Sequence, residues 1–354
     1  MSRLVVLAAC LAMLVVQSAS AVNASGDSGA AAPRTQNSTT TKSWAQASIK
    51  LVVSRGLMAK SVAVFRPNDS LTQGELSTLV AGLTKEPAKT VANPSGRVTI
   101  AQLDARLVQT LGLADVAATF LSTARDAGLS VPTRFGTETV ARLLGLRTNH
   151  PAKVDDLELR PADPATRAET AYSVAKILGY GGWEQQYVED AVSTFLLPTL
   201  SPWQKRVLNT AVRFIGFPYV WGGTSEKAEA PFGVKARGGF DCSGFVWRVF
   251  KLQAYPGGTA LNATIKGRTT YQMSGEVARS KRIPFAKLAP GDVPFFGPKG
   301  SSSKPSTVGH TGIYLGGGWM IHSSGQGVAV VPMTGWYRQT FAWARRPLAE
   351  AGLS

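Results

Sequence analysis

The stretch GGFDCSGFVWRVF, residues 238–250, decides the fold of the C-terminal part of the chain. Phe245, Val246, Val249 and Phe250 recur at the spacing of one helix face, Asp241 stands where an N-cap belongs, and Cys242 falls in the first turn. Unsatisfied N–H groups at a helix start favour a thiolate, and a histidine partner adds to the effect. The thiol is therefore expected to ionise well below the ordinary cysteine value, toward the range of about 3.5 to 7.5. Is this cysteine catalytic, or a small buried side chain of the common inert kind?

Redox context bears on the answer. The other cysteine of the chain, Cys10, lies in MSRLVVLAACLAMLVVQSASA, residues 1–21. A basic start at Arg3, an apolar run too short to span a bilayer and a small-x-small site at Ala19-Ser20-Ala21 give the layout of a cleaved secretory signal. LAAC at 7–10 also fits a lipoprotein signal, but cleavage before Cys10 would leave an apolar core about half the usual length of ~7 to 15 residues. Export removes Cys10 and leaves Cys242 single, which points to intermolecular pairing or a reactive thiol. The remaining chain is long enough to bury ordinary cores without disulfides.

C-terminal to the cysteine, PGDVPFFG (290–297), GHTGIYLGGGWMIHSS (309–324), GVAVVPM and FAWARRPL read as strands separated by glycine-rich turns. On its N-terminal side, Val207, Leu208, Ala211, Val212 and Ile215 predict a helix ended by Gly216 and Pro218. Residues 203–354 are therefore expected to form an α+β domain, helices first and an antiparallel sheet after. Two of the three histidines lie in GHTGIYLGGGWMIH. A turn at Gly316-Gly317-Gly318 sets His322 opposite Gly312 on the face that carries His310, at a diagonal distance of about 7 to 8 Å. One hairpin can thus supply a base and the residue that orients it. No third ligand has suitable spacing, so neither a metal nor another cofactor is expected. His150, in TNHPAK, reads as an exposed loop residue.

Residues 22–42 are small and polar without periodicity and read as a disordered leader. Residues 43–180 read as helical repeats. FRPNDSLTQGELSTLVAGL carries a capping box at Thr72 and Glu75. Arg66, Pro67, Asp69, Thr72, Glu75, Val80 and Ala81 return 94 residues later as Arg160, Pro161, Asp163, Thr166, Glu169, Val174 and Ala175. A weaker copy occupies residues 96–113, and residues 181–202 read as a linker with a short helix.

Charge is uneven. Residues 201–354 hold 19 basic and 6 acidic side chains, against 19 and 16 in the first 200. Nucleic acid is a frequent partner of such charge, but no nucleic-acid motif is present, and an exported chain meets anionic wall polymers first.

PYVWGG, FDCSGFV, PGDVPFF, GHTGIYLGGG and MIH, in that order, resemble the NlpC/P60 family of papain-like cysteine peptidases over about residues 203–347. The resemblance implies hydrolysis of peptidoglycan stem peptides, typically between D-glutamate and a diamino acid. Cys242 would be the nucleophile, His310 the base and His322 the residue holding it. Tyr219 matches the family tyrosine near the thiol, Asp241 and Ser243 flank the thiol, and Arg268 matches an arginine suited to clamp a substrate carboxylate. Pro294 departs from the family strand and is expected to mark an edge or a bulge. The N-terminal units resemble S-layer homology repeats, whose second helix starts with a Thr-Arg-Ala-Glu phrase. That phrase is complete at Thr166-Arg167-Ala168-Glu169 and partial at Thr72 and Thr99. This implies an anchor on anionic cell-wall polymers, with a plain helical spacer as the alternative. Overall the chain reads as a secreted wall hydrolase. A wall-bound surface protein with a non-catalytic domain, and an amidase or acyltransferase on the same scaffold, stay open.

Overall fold

A computed structural model describes residues 43–150 and 158–353, and the signal and leader readings fall outside the described residues. The N-terminal part is helical: α1 Gln46–Ser54, α2 Gln73–Thr84, α3 Ile100–Thr110, α4 Ala114–Asp126, α5 Phe135–Leu143, α6 Arg167–Leu178 and α7 Trp183–Ser193. Helix α8, Pro202–Val212, then opens the C-terminal part, with Ser201 and Gln204 forming its capping box and Pro202 in the first turn. No described helix is long and apolar enough to cross a membrane.

The repeat seen in the sequence closes on itself. Leu71 N–H donates to Ala165 C=O (2.8 Å), Ala165 N–H to Val98 C=O (2.8 Å), and Val98 N–H to Leu71 C=O (2.9 Å). Each of these residues precedes a capping threonine. Thr72 and Thr99 complete reciprocal boxes with Glu75 and Gln102, while Thr166 caps α6 without the return bond. The next N–H groups, which a helix start leaves without internal partners, go to the neighbouring unit. Gln73 and Gly74 donate to Gly96 and Pro94, Ile100 and Ala101 to Asp163 and Pro161, and Arg167 and Ala168 to Asp69 and Pro67. Three units thus satisfy one another in a ring, the structural meaning of the recurring phrase.

The helices and the C-terminal part share one apolar cluster that runs from Ala45 to Leu348. In the C-terminal part, β1 Thr224–Ser225 pairs with β2 Gly239–Phe240, followed by α9 Cys242–Trp247, α10 Leu261–Thr264 and α11 Thr270–Gly275. Then come β3 Val293–Phe296, β4 His310–Thr311, β5 Ile313–Gly316, β6 Trp319–Ser324, β7 Gly327–Pro332, α12 Gly335–Thr340, β8 Phe341–Arg345 and α13 Pro347–Glu350. Two antiparallel sheets form, in the orders β4-β3-β8 and β5-β6-β7. This is the expected α+β arrangement.

Pro294 is not at an edge. It sits in the central strand β3 opposite Ala344, whose own N–H and C=O bond Ile283, so the β3–β8 ladder asks no N–H of position 294. The Pro294 carbonyl accepts the Thr311 hydroxyl (2.8 Å), and the expected bulge falls one residue later, between Phe295 and Phe296.

The sheet is docked on the helices. Trp319 Nε1 donates to Thr194 C=O (3.1 Å), and its ring meets Phe120 and Phe195. At Gly317, φ is +57°, and an added Cβ would run into the Leu196 carbonyl, so the turn must be glycine to lie on this segment. Arg142 on α5 donates to Gly216 C=O (2.8 Å) and to Gln326 C=O in the β6–β7 turn, and pairs with Glu138 (3.0 Å). Both charged side chains are buried, at 4% and 0% exposure.

Candidate active site

Helix α9 is built to hold its first residue. Asp241 Oδ1 accepts the Gly244 N–H (2.5 Å) and the Ser243 hydroxyl (3.0 Å), and Oδ2 accepts the Gly222 N–H (3.0 Å). Arg268 closes the cap. Its Nη1 donates to Asp241 Oδ1 (3.1 Å) and Ser243 Oγ (2.8 Å), and its Nη2 to Asp241 Oδ2 (3.0 Å) and the carbonyls of Gly222 and Gly223. Gly244 permits this crowding, because an added Cβ would overlap the Gly223 carbonyl.

Cys242 is half-buried and unpaired, and faces the backbone N–H groups of Ser243 and Thr311. Thr311 follows His310 directly, so β4 brings the imidazole strand to the thiol. The ionisation expected from the helix start does not result. Burial, and then the Asp241 charge, push the thiol up to about 12, outweighing those two N–H groups and the Arg268 charge. Burial pulls His310 down to about 4. His322 lies well below its ordinary value through burial and the neighbouring His310. Thiol and imidazole therefore rest neutral.

The two histidines meet as the hairpin reading requires. Ile313 pairs with Ile321 across β5 and β6, which sets Gly312 against His322. His310 lies one step further, where the chain changes sheet and Phe296 becomes its partner. Gly312 makes the approach possible, since an added Cβ would stand 2.9 Å from His322 Cβ and 3.0 Å from the Ile321 carbonyl. His310 Nε2 is 2.8 Å from His322 Nδ1, with the rings near perpendicular. His310 Nδ1 is left to take a proton from a nucleophile.

Two residues of the site were missed in the sequence. Trp336 and Tyr337, on α12, lie 6.2 Å from His310 between ring centroids, and Tyr337 Oη is 3.3 Å from His322 Nε2. A six-residue helix wedged between two strands has no periodic signature. The only signal was the aromatic pair in MTGWYRQT.

Tyr219 is bridged to Phe240 just before the thiol, and its hydroxyl is pushed up by burial and then by the Cys242 charge. Arg268 reaches the site, but protein acceptors hold both of its terminal nitrogens. His150 is a correction. It is 6% exposed, stacked on Trp44, with Nε2 3.2 Å from Glu169 Oε1 and 3.6 Å from Glu158 Oε2. Packing between repeat units, invisible in TNHPAK, buries it. Among the described residues these three have the spacing of a metal-binding group. Glu169 also accepts from Arg147 (3.2 Å), which suits an ion-pair cluster equally well.

A thiol on a capped helix start, set against a strand that carries one of two bonded imidazoles, defines a thiol-dependent acyl-transfer type of site on an α+β scaffold. Residues 216–346 match the NlpC/P60 family. The chain is similar to the gamma-D-glutamyl-L-lysine dipeptidyl-peptidase of Bacillus subtilis strain 168, 29% identical over 131 residues that cover 36% of this chain and 35% of that protein. It is also similar to the probable peptidoglycan endopeptidase LytE of the same strain, 31% identical over 132 residues covering 37% and 30%. A solved NlpC/P60 family protein from Bacillus cereus ATCC 10987 is alike over 44% of this chain and 43% of its own, at 28% identity and a TM-score of 0.31. The chain spans about a third of the length of these two curated relatives.

Proposed function

We propose that this protein is a peptidoglycan hydrolase, a cysteine endopeptidase that cleaves stem peptides between D-glutamate and a diamino acid. One observation carries the reading: Cys242 starts a capped helix against the strand of His310, whose Nε2 is bonded to His322. Because thiol and imidazole rest neutral, His310 Nδ1 takes the proton as Sγ adds to the scissile carbonyl. Backbone N–H groups at the start of α9 stabilise the oxyanion. The imidazolium gives its proton to the leaving amine as the C–N bond breaks. Water, deprotonated by the same nitrogen, then hydrolyses the thioester and restores the thiol. Names of similar proteins that speak of peptidoglycan and γ-D-glutamyl bonds support the substrate.

Digestion of purified peptidoglycan with mass analysis of the fragments tests this. Stem peptides cut at D-glutamate, and none from Cys242→Ala, are expected. Cleavage of the sugar–peptide amide, or transfer to an added amine in place of water, would make the protein an amidase or acyltransferase. Lysis by Cys242→Ala at the wild-type rate would sink the mechanism.

The N-terminal ring we assign as an S-layer-homology-like anchor on anionic wall polymers, with the protein exported to the cell wall. Arg167 does not serve it, being buried and bonded to Glu75 and the carbonyls of Phe65 and Met58. Exposed Arg97 of the ring and Arg237 of the C-terminal part support the reading, since they line a cavity of about 360 Å³ whose walls also carry the carboxylates of Asp163 and Glu169. Full-length protein should sediment with purified walls at low salt and be released as salt rises. Arg97→Ala with Arg237→Ala should weaken this binding, and no sedimentation at any salt would leave a spacer.

A further inference from the structure

We propose that Tyr337 is a positioning residue that selects the reactive tautomer of His310 by acting through His322. The inference rests on the hydrolase reading for its kinetic arm only.

Two contacts in series carry it: His310 Nε2 to His322 Nδ1 at 2.8 Å, and His322 Nε2 to Tyr337 Oη at 3.3 Å. A neutral imidazole has one N–H and one bare nitrogen. For His310 Nδ1 to accept the thiol proton, its own proton must sit on Nε2, and that N–H then donates to His322 Nδ1. His322 must in turn hold its proton on Nε2, and the Tyr337 hydroxyl, which can donate to or accept from that nitrogen, is then the acceptor. His322 is 1% exposed, so water does not readily replace that acceptor.

Take the acceptor away, and the opposite arrangement becomes the better one. His322 then carries its proton on Nδ1 and donates it to His310 Nε2, and the His310 proton moves to Nδ1, where it blocks proton transfer from Cys242. The Tyr337 hydroxyl is pushed up by burial, so it stays un-ionised and interacts as a neutral group. Its place is set by the fold. The end of α12 is tied to the residue after β3 by the Gly297 N–H on Thr340 C=O (2.9 Å), and the Tyr337 ring packs edge-on against Phe296 (5.5 Å) and His322 (5.3 Å).

The test uses full-length protein labelled with ¹⁵N at histidine, and long-range ¹H–¹⁵N correlation at pH 7 reads the protonated nitrogen of each ring. In the wild type, His310 and His322 should both carry the proton on Nε2. In Tyr337→Phe, His310 should move toward the Nδ1-protonated form. Its kcat on a stem peptide should fall 10- to 100-fold with KM unchanged and every thiol still titrated by an alkylating probe, a pattern that partial unfolding does not give. Nε2 protons retained in Tyr337→Phe together with full turnover would overturn the proposal. If that variant does not fold, the wild-type spectrum decides alone, since a proton on His322 Nδ1 overturns it. Wild-type protein with the stated tautomers but no peptide cleavage would refute the hydrolase reading and leave this one standing.

Discussion

Arg268 and Asp241 face each other fork to fork, with Nη1 3.1 Å from Oδ1 and Nη2 3.0 Å from Oδ2, at the cap of the helix that Cys242 begins. The arginine that the sequence offers as a substrate clamp therefore holds the cap of α9, the helix that Cys242 begins. Arg268→Ala should lower kcat and cost about 2 kcal/mol of stability, the scale of a charge-assisted hydrogen bond. Lysine should not restore either, because it lacks the planar fork. Amidating the substrate carboxylate should cost the variant as much as the wild type in steady-state assays. A loss confined to the wild type would return Arg268 to the substrate.

Neutral Cys242 and His310 set the pH dependence. The proposed mechanism needs His310 unprotonated, so kcat/KM should fall on the acidic side with an apparent pKa of about 4. Thiolate absorbance near 240 nm, measured against Cys242→Ala, should be missing at pH 7 and emerge only as pH approaches about 12. Stability follows the same groups. Between about 4 and 6.5 the unfolded chain binds more protons at His310 than the native state does, so stability is lost as pH falls through that window. Above 9 the native state keeps the Cys242 proton that the unfolded chain releases, so stability is lost as pH rises toward about 12. Denaturant titrations at pH 4.5, 7 and 10.5 check both signs.

Gly312→Ala should separate the histidines. A methyl group 2.9 Å from His322 Cβ must push β4 or β6 aside. The expected result is at least a tenfold fall in kcat for about 1 kcal/mol of stability, read by turnover and melting together.

Arg142→Ala should be felt in both parts of the molecule. It strands Glu138, which burial already pushes up, and releases the carbonyls of Gly216 and Gln326 that flank Tyr219 and the His322 strand. A loss of about 3 to 5 kcal/mol is expected, while Glu138→Leu with Arg142→Met should lose less, since no buried charge is left alone. Chemical denaturation of both variants decides.

Much of this was legible. Asp241 and the apolar spacing after it gave α9, and the length of the glycine turn gave the His310 and His322 pairing, because local rules govern both. The recurring threonine phrase gave the repeats, though not their closure, which joins residues far apart in sequence. Tyr337 and the burial of His150 depend on which elements pack together, and no periodicity records that. The thiol's upward shift was missed because the helix start is local, whereas the desolvation that outweighs it comes from the whole surrounding fold.

The ring of Leu71, Val98 and Ala165 also constrains the order in which the chain can acquire structure. Two of its three bonds need Ala165, so during synthesis the first hundred residues emerge without the partner that completes them. Folding that waits on contacts so distant in sequence is slow, and a ribosome pausing before residue 165 would hold the apolar faces of α2 and α3 open to aggregation.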